Sequence, residues 1–190
     1  MLAWSKPFET GIALVDSQHK RLFALLNTLA DSFSTGTPSE AIVAKILQEL
    51  RDYAQQHFTD EEALMTSQHL DSQHIAIHHM EHNSYIYHLG RLQLHTNADE
   101  DEVQTAEKLV RFITSWLVYH VLGIDQVMAA QIHAIEQGMT PQEAYSVHKT
   151  ISRDVATTQL ILDAVLELWR HTTERCRALE DELASCKKAP

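Results

Sequence analysis

The residues of this chain that could do chemistry are histidines and carboxylates placed at helical spacing. His57 and Glu61 are four residues apart, and so are His78 and His82. Residues four apart lie on one face of a helix, so each pair presents two donors toward one point. One histidine precedes these pairs, and a histidine and an aspartate five residues apart follow them. The full ordered set consists of His19, His57, Glu61, His78, His82, His120 and Asp125.

This set supplies imidazoles and carboxylates, a combination of donors that suits iron, zinc or manganese. No cysteine lies near these positions, which disfavours a thiolate site. Seven nitrogen and oxygen ligands are what two iron ions with shared bridging carboxylates require. The chain also lacks the Glu-x-x-His pairs of ferritin-like oxidases. A site that is rich in histidine favours reversible dioxygen binding over strong oxidation.

The pairing around His78 has two solutions from spacing alone. The chain contains 13 histidines, so some pairs at helical spacing are expected by chance. His74 lies four residues before His78, and this pair rivals the one formed with His82.

The step from His120 to Asp125 requires a departure from ideal helix geometry. Five residues of an ideal helix would turn Asp125 well off the face of His120. Gly123 lies between them and allows the backbone to distort or to break. If the helix breaks there, Asp125 is a good N-cap for a following helix.

Helices must position these residues, and the chain carries signals for their ends. Asp16 is predicted to cap a first helix that runs to about Phe33, after an irregular arm over residues 1–15. The Thr-Pro-Ser-Glu segment at residues 37–40 is a start signal for the second helix.

The third helix is predicted over residues 71–95, and a polar loop over residues 96–100 leads to the fourth. The fourth helix continues beyond Asp125 and ends near Gly138. Helices with inward-facing ligands predict an all-α fold. We expect an antiparallel four-helix bundle with a di-iron site over residues 1–137.

A C-terminal extension over residues 138–190 follows this bundle. The Thr-Pro-Gln-Glu segment at residues 140–143 is a further helix start. Beyond it, a heptad-like seam predicts a long helix, either a dimerising coiled coil or a helix packed back on its own bundle. In a parallel dimer, the two cysteines of the seam could crosslink to their mates. The seam consists of Leu162, Val165, Trp169, Thr172, Cys176, Leu179, Leu183 and Cys186.

Composition limits the partners and the location of the chain. The formal net charge of −11 argues against binding to nucleic acid or to an anionic membrane. No apolar stretch has the length of a membrane span, and the start of the chain lacks the apolar region of a signal peptide. The two cysteines form no disulfide framework, so we expect a cytoplasmic protein.

The motif segments together resemble the hemerythrin family, and in particular its bacterial domains. The resemblance selects the pair His78 and His82, because the flanking Glu81 and Tyr85 fit only that register. Two departures affect the alignment of residues 66–77: the stretch from Glu61 to His78 is slightly longer than in typical members, and the Tyr-Pro that often follows the Leu-Met is absent. The resemblance covers residues 4–125, with matching segments at 4–23, 57–65, 78–85 and 116–125.

The resemblance implies a role for each ligand. One iron is bound by three histidines and the other by two, and both carboxylates bridge an oxo- or hydroxo-bridged iron pair. The iron with two histidines keeps an open position for dioxygen, which is the mark of a reactive metal site. By this assignment His78, His82 and His120 bind one iron, His19 and His57 bind the other, and Glu61 and Asp125 bridge them.

An apolar pocket is needed around the open position, because such a shell controls solvent access and redox potential. Ile113, Trp116 and Leu117 precede His120 by one or two helical turns and are expected to line this oxygen pocket. Ordinary core packing is the alternative interpretation of the same three residues. Trp4 is expected in the core.

Bacterial domains of this family are often joined by a helix to signalling modules, and residues 123–129 and 138–145 resemble members of that type. We therefore expect a non-enzymatic oxygen or redox sensor that forms a homodimer through its C-terminal helix. Its output would be a diguanylate cyclase or chemotaxis-type domain, fused or separate. The alternatives are a soluble oxygen carrier or store, and a di-iron enzyme that reduces peroxide or nitric oxide.

Overall fold

The structure, a computed structural model, describes residues 3–34, 40–95 and 102–149 of the chain. These ranges are helical and contain no strand, which confirms the all-α prediction. A short 3-10 helix, Lys6–Phe8, precedes the bundle. The α-helices are α1 (Ala13–Ser34), α2 (Glu40–Ser67), α3 (Ser72–His95), α4 (Glu102–Trp116), α5 (Asp125–Glu136) and α6 (Pro141–His148), with a π-helix over Leu117–Ile124 between α4 and α5.

The helices α1 to α4 form a closed ring of neighbours. Each packs against the next along the chain, and α4 returns to pack against α1. Apolar side chains from all four fill the interior, and Leu22, Leu29 and Leu50 are completely buried. The arrangement is the predicted four-helix bundle.

Helix α1 begins at Ala13, earlier than predicted, and Asp16 is not its N-cap. The Asp16 carboxylate instead accepts hydrogen bonds from the backbone N–H groups of Thr10 (2.7 Å) and Gly11 (3.2 Å). Asp16, which lies in the first turn of α1, therefore holds the preceding segment against the helix start. Its negative charge there also interacts favourably with the helix dipole. The predicted irregular arm therefore ends at residue 12, three residues earlier than expected, and contains the short 3-10 helix.

Helix α3 begins where the sequence predicts. The side chain of Asp71 accepts the backbone N–H of Gln73 at 2.8 Å, which caps the first turn. The predicted start of the second helix at residues 37–39 lies outside the described residues, and the structure describes α2 from Glu40.

The fourth helix passes through Asp125 without a break. Asp125 has helical backbone angles (φ −67°, ψ −34°), and its N–H donates to the carbonyl of His120, five residues earlier. The predicted distortion near Gly123 is confirmed as a π-helix. The predicted alternative of a break with Asp125 as N-cap was wrong, because the wider turn satisfies its N–H within the helix.

Two apolar clusters surround the middle of the bundle. The larger contains Leu22, Phe58 and Leu122, and the smaller contains Met65 and Met128. Along the chain, the predicted ligands fall between members of these clusters. His19 lies between Val15 and Leu22, Glu61 between Phe58 and Met65, and Asp125 between Leu122 and Met128.

Helix α6 starts at the predicted signal. Thr140 and Glu143 form a reciprocal capping box, in which the Thr140 N–H donates to the Glu143 carboxylate at 3.0 Å. The helix packs against α5 and ends at His148. The heptad-like seam at 162–186, with both cysteines, lies outside the described residues, and the boundary after residue 137 stays a prediction. Among the described helices, none is long and apolar enough to cross a membrane.

Candidate metal centre

The structure brings all seven predicted ligand residues together in the interior of the bundle. Helix α1 supplies His19, α2 and α3 each supply a pair four residues apart, and the π-helix and α5 supply the remainder. None of the seven side chains is more than 3% exposed. The four-residue spacing therefore acts as predicted, because it points both members of each pair inward.

The seven residues form two groups that share a carboxylate. In the first, ligand atoms of Glu61 and of three histidines lie within 4.8 Å of one another. In the second, those of Glu61, Asp125 and two histidines lie within the same distance. We call His78, His82 and His120 the three-histidine group, and His19 and His57 the two-histidine group.

Each carboxylate faces both groups. Oδ1 of Asp125 lies 3.2 Å from Nε2 of both His78 and His120, and its Oδ2 lies 3.0 Å from Nε2 of His19. Oε2 of Glu61 lies 3.2 Å from Nε2 of His78 and 3.5 Å from Nε2 of His57. Two carboxylates placed between two sets of nitrogens have the geometry of bridging ligands.

Most of these ligand atoms lack a hydrogen-bond partner. The Nε2 atoms of His19, His57 and His120 and both carboxylate oxygens of Asp125 face one another at 3.0–3.5 Å or face Glu61, but among the described residues they are buried without a hydrogen bond. Buried polar atoms are normally paired, and leaving them unpaired costs about 1–3 kcal/mol each. Cations bound between them would satisfy nitrogens and oxygens at once, so the residues fit a pair of iron ions.

The π-helix explains why a five-residue spacing works at His120. In an α-helix, residues five apart point roughly 140° away from each other around the axis. A hydrogen bond from Asp125 to His120 closes a wider turn, which brings the two residues onto successive turns of one face. Single π-helical turns of this kind are frequent at functional sites.

Hydrogen bonds from outside the centre fix the orientation of several histidines. Nδ1 of His57 lies 2.9 Å from Oε1 of Gln18, whose amide donates to Asp60 at 2.6 Å. Nδ1 of His82 lies 3.1 Å from a carboxylate oxygen of Glu62. In both cases Nδ1–H is the donor, which leaves Nε2 free to face the centre.

His74, the rival partner of His78, lies outside both groups in the described structure. Its Nε2 is 3.3 Å from Nδ1 of His78, on the side of that ring away from the carboxylates. Burial, followed by the nearby charge of His78, lowers the pKa of His74 to about 4. A neutral His74 can accept the hydrogen bond that His78 donates.

The pKa shifts favour the metal-binding protonation state of every shifted group in the centre except His78. Burial would raise the pKa of Glu61 and of Asp125, but the surrounding histidines hold both below their usual range. Burial lowers the pKa of His57 and lowers that of His120 to about 3. Burial would also lower the pKa of His78, but its contacts with the two carboxylates outweigh this and raise it to about 9. A metal must therefore displace a proton from His78.

Aromatic rings cover the two groups differently. Trp116 stacks on His120, with ring centroids 4.5 Å apart, and Phe58 stacks on His82 at 3.8 Å. The predicted pocket residues Ile113, Trp116 and Leu117 are all buried in the larger apolar cluster. Trp116 thus lies against the three-histidine group.

The two-histidine group lies beside Tyr53 and Trp4, neither of which was predicted to line the oxygen pocket. The Tyr53 ring stacks on His57 at 5.1 Å, and Trp4 lies 6.4 Å from His19 while also packing on the core. The buried Tyr53 hydroxyl finds no hydrogen-bond partner within the described ranges. Its position four residues before His57 was the available signal, because this spacing places it on the same helix face.

Comparison with known proteins identifies the family to which the chain belongs. The family model described as "Hemerythrin HHE cation binding domain" matches residues 10–132, a range that contains all seven ligand residues. The chain belongs to the hemerythrin family. It is accordingly a di-iron, oxygen-binding protein whose cofactor is a pair of iron ions.

Individual relatives agree with the family match. A bacteriohemerythrin of Methylococcus capsulatus is 34% identical over 128 residues, which are 67% of this chain and 93% of the relative. A bacteriohemerythrin of Stenotrophomonas maltophilia is 30% identical over 70% of this chain and 83% of the relative. A hemerythrin-like protein of Naegleria gruberi is 30% identical over 64% and 86%, respectively. No solved structure matches the chain at a significant level.

Proposed function

We propose that this hemerythrin domain binds dioxygen reversibly at the two-histidine side of its iron pair and serves as an oxygen or redox sensor. His78, His82 and His120 would hold one iron, and His19 and His57 the other, with both carboxylates as bridges. We further propose that the chain is not itself an enzyme and that it reports its state through its C-terminal extension.

The observation that carries this proposal is the unequal division of the seven ligands. With two bridging carboxylates, the three-histidine group offers five protein ligands and the two-histidine group offers four. A metal with fewer protein ligands keeps a position for an exogenous ligand, as reactive metal sites do. Dioxygen would therefore bind beside His19 and His57.

The residues of the chain protect this position and orient the ligands. The iron pair, when bound, supplies the electrons that dioxygen takes up reversibly. Gln18 keeps Nε2 of His57 directed inward through the hydrogen bond to Nδ1. Tyr53 and Trp4 cover the two histidines with aromatic surface. Complete burial of the ligands excludes water, which would otherwise release the bound oxygen in reduced form.

The sensor proposal is supported by the way the extension meets the bundle. Helix α6 lies beyond the matched residues 10–132 and packs against α5, which begins with the bridging residue Asp125. A change at the centre can therefore reach the extension through one helix. A carrier would need no such connection.

Oxygen binding is tested by loading the protein with ferrous iron without air and then admitting oxygen. We expect two irons per chain and a visible ligand-to-iron absorption band that disappears when oxygen is removed. A direct, irreversible change to a stable ferric spectrum would favour redox sensing over reversible binding. Repeated consumption of peroxide or nitric oxide with many turnovers would contradict the non-enzymatic assignment.

The homodimer is a separate proposal that rests on the seam at residues 162–186. A chain that ends after Lys149 keeps every helix described here and removes the seam. We expect the full chain to sediment as a dimer and the shortened chain as a monomer with unchanged iron content. A shortened chain that stays dimeric would contradict dimerisation through the C-terminal helix.

A further inference from the structure

His74 is a buried histidine that the proposed iron centre does not use as a ligand. It lies in α3, one helical turn before His78, and only 3% of its surface is exposed. Its Nε2 is 3.3 Å from Nδ1 of His78. Because most buried polar groups form defined hydrogen bonds, a second imidazole this close to a ligand histidine is expected to bond to it.

The geometry of His78 determines the direction of this hydrogen bond. Nε2 of His78 lies 3.2 Å from an oxygen of each bridging carboxylate, Glu61 and Asp125, and so faces the centre. Nδ1 is the nitrogen that remains, and it carries the proton when Nε2 is a metal ligand. His78 therefore donates, and Nε2 of His74 accepts.

The same ring also touches the C-terminal extension. The ring centroid of His74 lies 6.5 Å from that of Tyr145 in α6, at an interplanar angle of 60°. The neighbouring Ala144 is completely buried, so α6 is seated on the bundle at this point. The rings of His78, His74 and Tyr145 thus form a continuous path from the centre to α6.

This path differs from the outer contacts of the other ligands. His57 donates to the amide of Gln18, and His82 donates to the carboxylate of Glu62. Both acceptors belong to helices of the bundle itself. Only the path through His74, among the described residues, leads from a ligand nitrogen to α6.

We propose that His74 is a positioning residue that orients His78 and transmits changes at the metal centre to helix α6. This inference rests on the proposed function of the iron centre. A change in the charge or ligands of the iron alters the strength of the His78 Nδ1–H bond and the position of the ring. His74 follows because its Nε2 accepts this hydrogen bond, and the His74 ring then moves against Tyr145.

The orienting role is tested by metal release from the full chain. His74→Leu removes the acceptor, while His74→Gln keeps an acceptor oxygen at a similar reach. His88→Leu is the matched control, because His88 is exposed on the same helix and contacts Tyr87 and Phe112 instead. Loss of an outer hydrogen-bond partner typically costs 10–100-fold in metal affinity. We expect His74→Leu to release cobalt or iron to a chelator about 10–100 times faster than wild type.

We expect His74→Gln to release metal at a rate close to that of wild type, and His88→Leu to leave the rate unchanged. The d–d absorption spectrum of the cobalt-loaded protein should be shifted in His74→Leu and should resemble that of wild type in His74→Gln. Equal release rates and equal spectra for His74→Leu and His88→Leu would overturn the orienting role.

Transmission is tested by hydrogen exchange of residues 141–149 in the full chain, with and without metal. We expect metal to slow exchange in α6 of wild type, and this difference to be lost in His74→Leu and in Tyr145→Ala. Exchange in α2 should respond to metal in all variants. If metal still slows hydrogen exchange in α6 of His74→Leu, transmission through His74 is overturned and the signal is assigned to α5.

Metal content separates the two levels of the account. A wild-type chain that fails to bind two metals overturns the proposed centre and this inference together. A wild-type chain that binds two metals, with His74→Leu indistinguishable from His88→Leu, overturns the inference and leaves the centre intact.

Discussion

The three-histidine group and the two-histidine group share both carboxylates but differ in what surrounds them. Phe58 and Trp116 stack closely on two of the three histidines on one side. On the other side, the ring of Tyr53 stacks on His57, and its buried hydroxyl has no hydrogen-bond partner in the described structure. The two sides therefore present the same donor types in different surroundings, as we propose for a saturated metal position and an open one.

The ligand number explains why the two sides should behave differently. In the proposed assignment, a metal held by three histidines and two carboxylates would have little room for another ligand, whereas the other metal would have one protein ligand fewer. The unpaired Tyr53 hydroxyl then provides a potential hydrogen-bond donor on the side that keeps the open position. The following predictions act on this asymmetry.

Loss of a bridge has the largest expected effect, because it removes a ligand from both sides. We expect Asp125→Asn to lower the iron content from two per chain to less than one, measured by metal analysis after gel filtration. Glu136→Gln is a suitable control, since Glu136 is exposed at the end of α5. Retention of both irons by Asp125→Asn would contradict its bridging position.

Removal of one histidine from each group separates the two sides. His57→Ala leaves a single histidine in its group, so we expect one iron per chain and no response to oxygen. His82→Ala leaves two histidines in its group, so we expect two irons with weaker retention. Identical stoichiometries in both variants would show that the groups do not hold separate irons.

Metal affinity should rise with pH because His78, in the three-histidine group, must lose a proton before it binds a metal. The carboxylates of Asp125 and Glu61 outweigh the effect of burial and raise the pKa of His78 to about 9. Below this pH a metal must displace a proton, so its affinity should rise roughly tenfold per pH unit between about 7 and 9. Calorimetry in buffers of different ionisation enthalpy counts the released proton.

The metal-free protein should show the opposite trend in stability. The pKa of His78 is higher in the folded chain than the ordinary value of 6.5, so its stabilising charge is complete below pH 6.5 and is lost toward pH 9.

The proton released on metal binding should come from His78 and not from His57. His57→Ala should therefore keep the proton release, since burial lowers the pKa of His57. Metal binding without any proton release near pH 7.5 would contradict this distribution of charge.

The smallest effect is expected from the buried tyrosines, which form a matched pair. The hydroxyls of Tyr53 and Tyr85 are both buried without a partner in the described ranges, but Tyr85 packs on Trp116. Removing an unpaired hydroxyl should raise the free energy of unfolding by about 1 kcal/mol in each Tyr→Phe variant. Tyr53→Phe should also change the autoxidation rate, whereas Tyr85→Phe should not. Equal autoxidation rates in the two variants would mean that Tyr53 does not face the open position.

Helical spacing predicted the bundle and the two candidate ligand pairs, whereas the choice of His82 over His74 came from the family resemblance. Four-residue spacings place His57 with Glu61, and His78 with His82, on single helix faces, and the structure brings these residues together. The start of α6 was also predictable, because a capping box depends on four consecutive residues.

Features that depend on contacts distant in sequence were not predictable. The π-helix at His120 arises from hydrogen bonding within a packed bundle, and spacing alone left a break equally open. The role of Asp16 depends on how residues 10 and 11 fold over the helix start. The contact of His74 with Tyr145 joins elements about 70 residues apart, which no local pattern records.

The most direct test of the account is a crystal structure of the iron-loaded chain with anomalous scattering at the iron edge. We expect two iron peaks, both within bonding distance of Glu61 and Asp125. One should be bound by His78, His82 and His120, and the other by His19 and His57 with an open or exogenous position. A single peak, three histidines on each iron, or His74 as a ligand would contradict it.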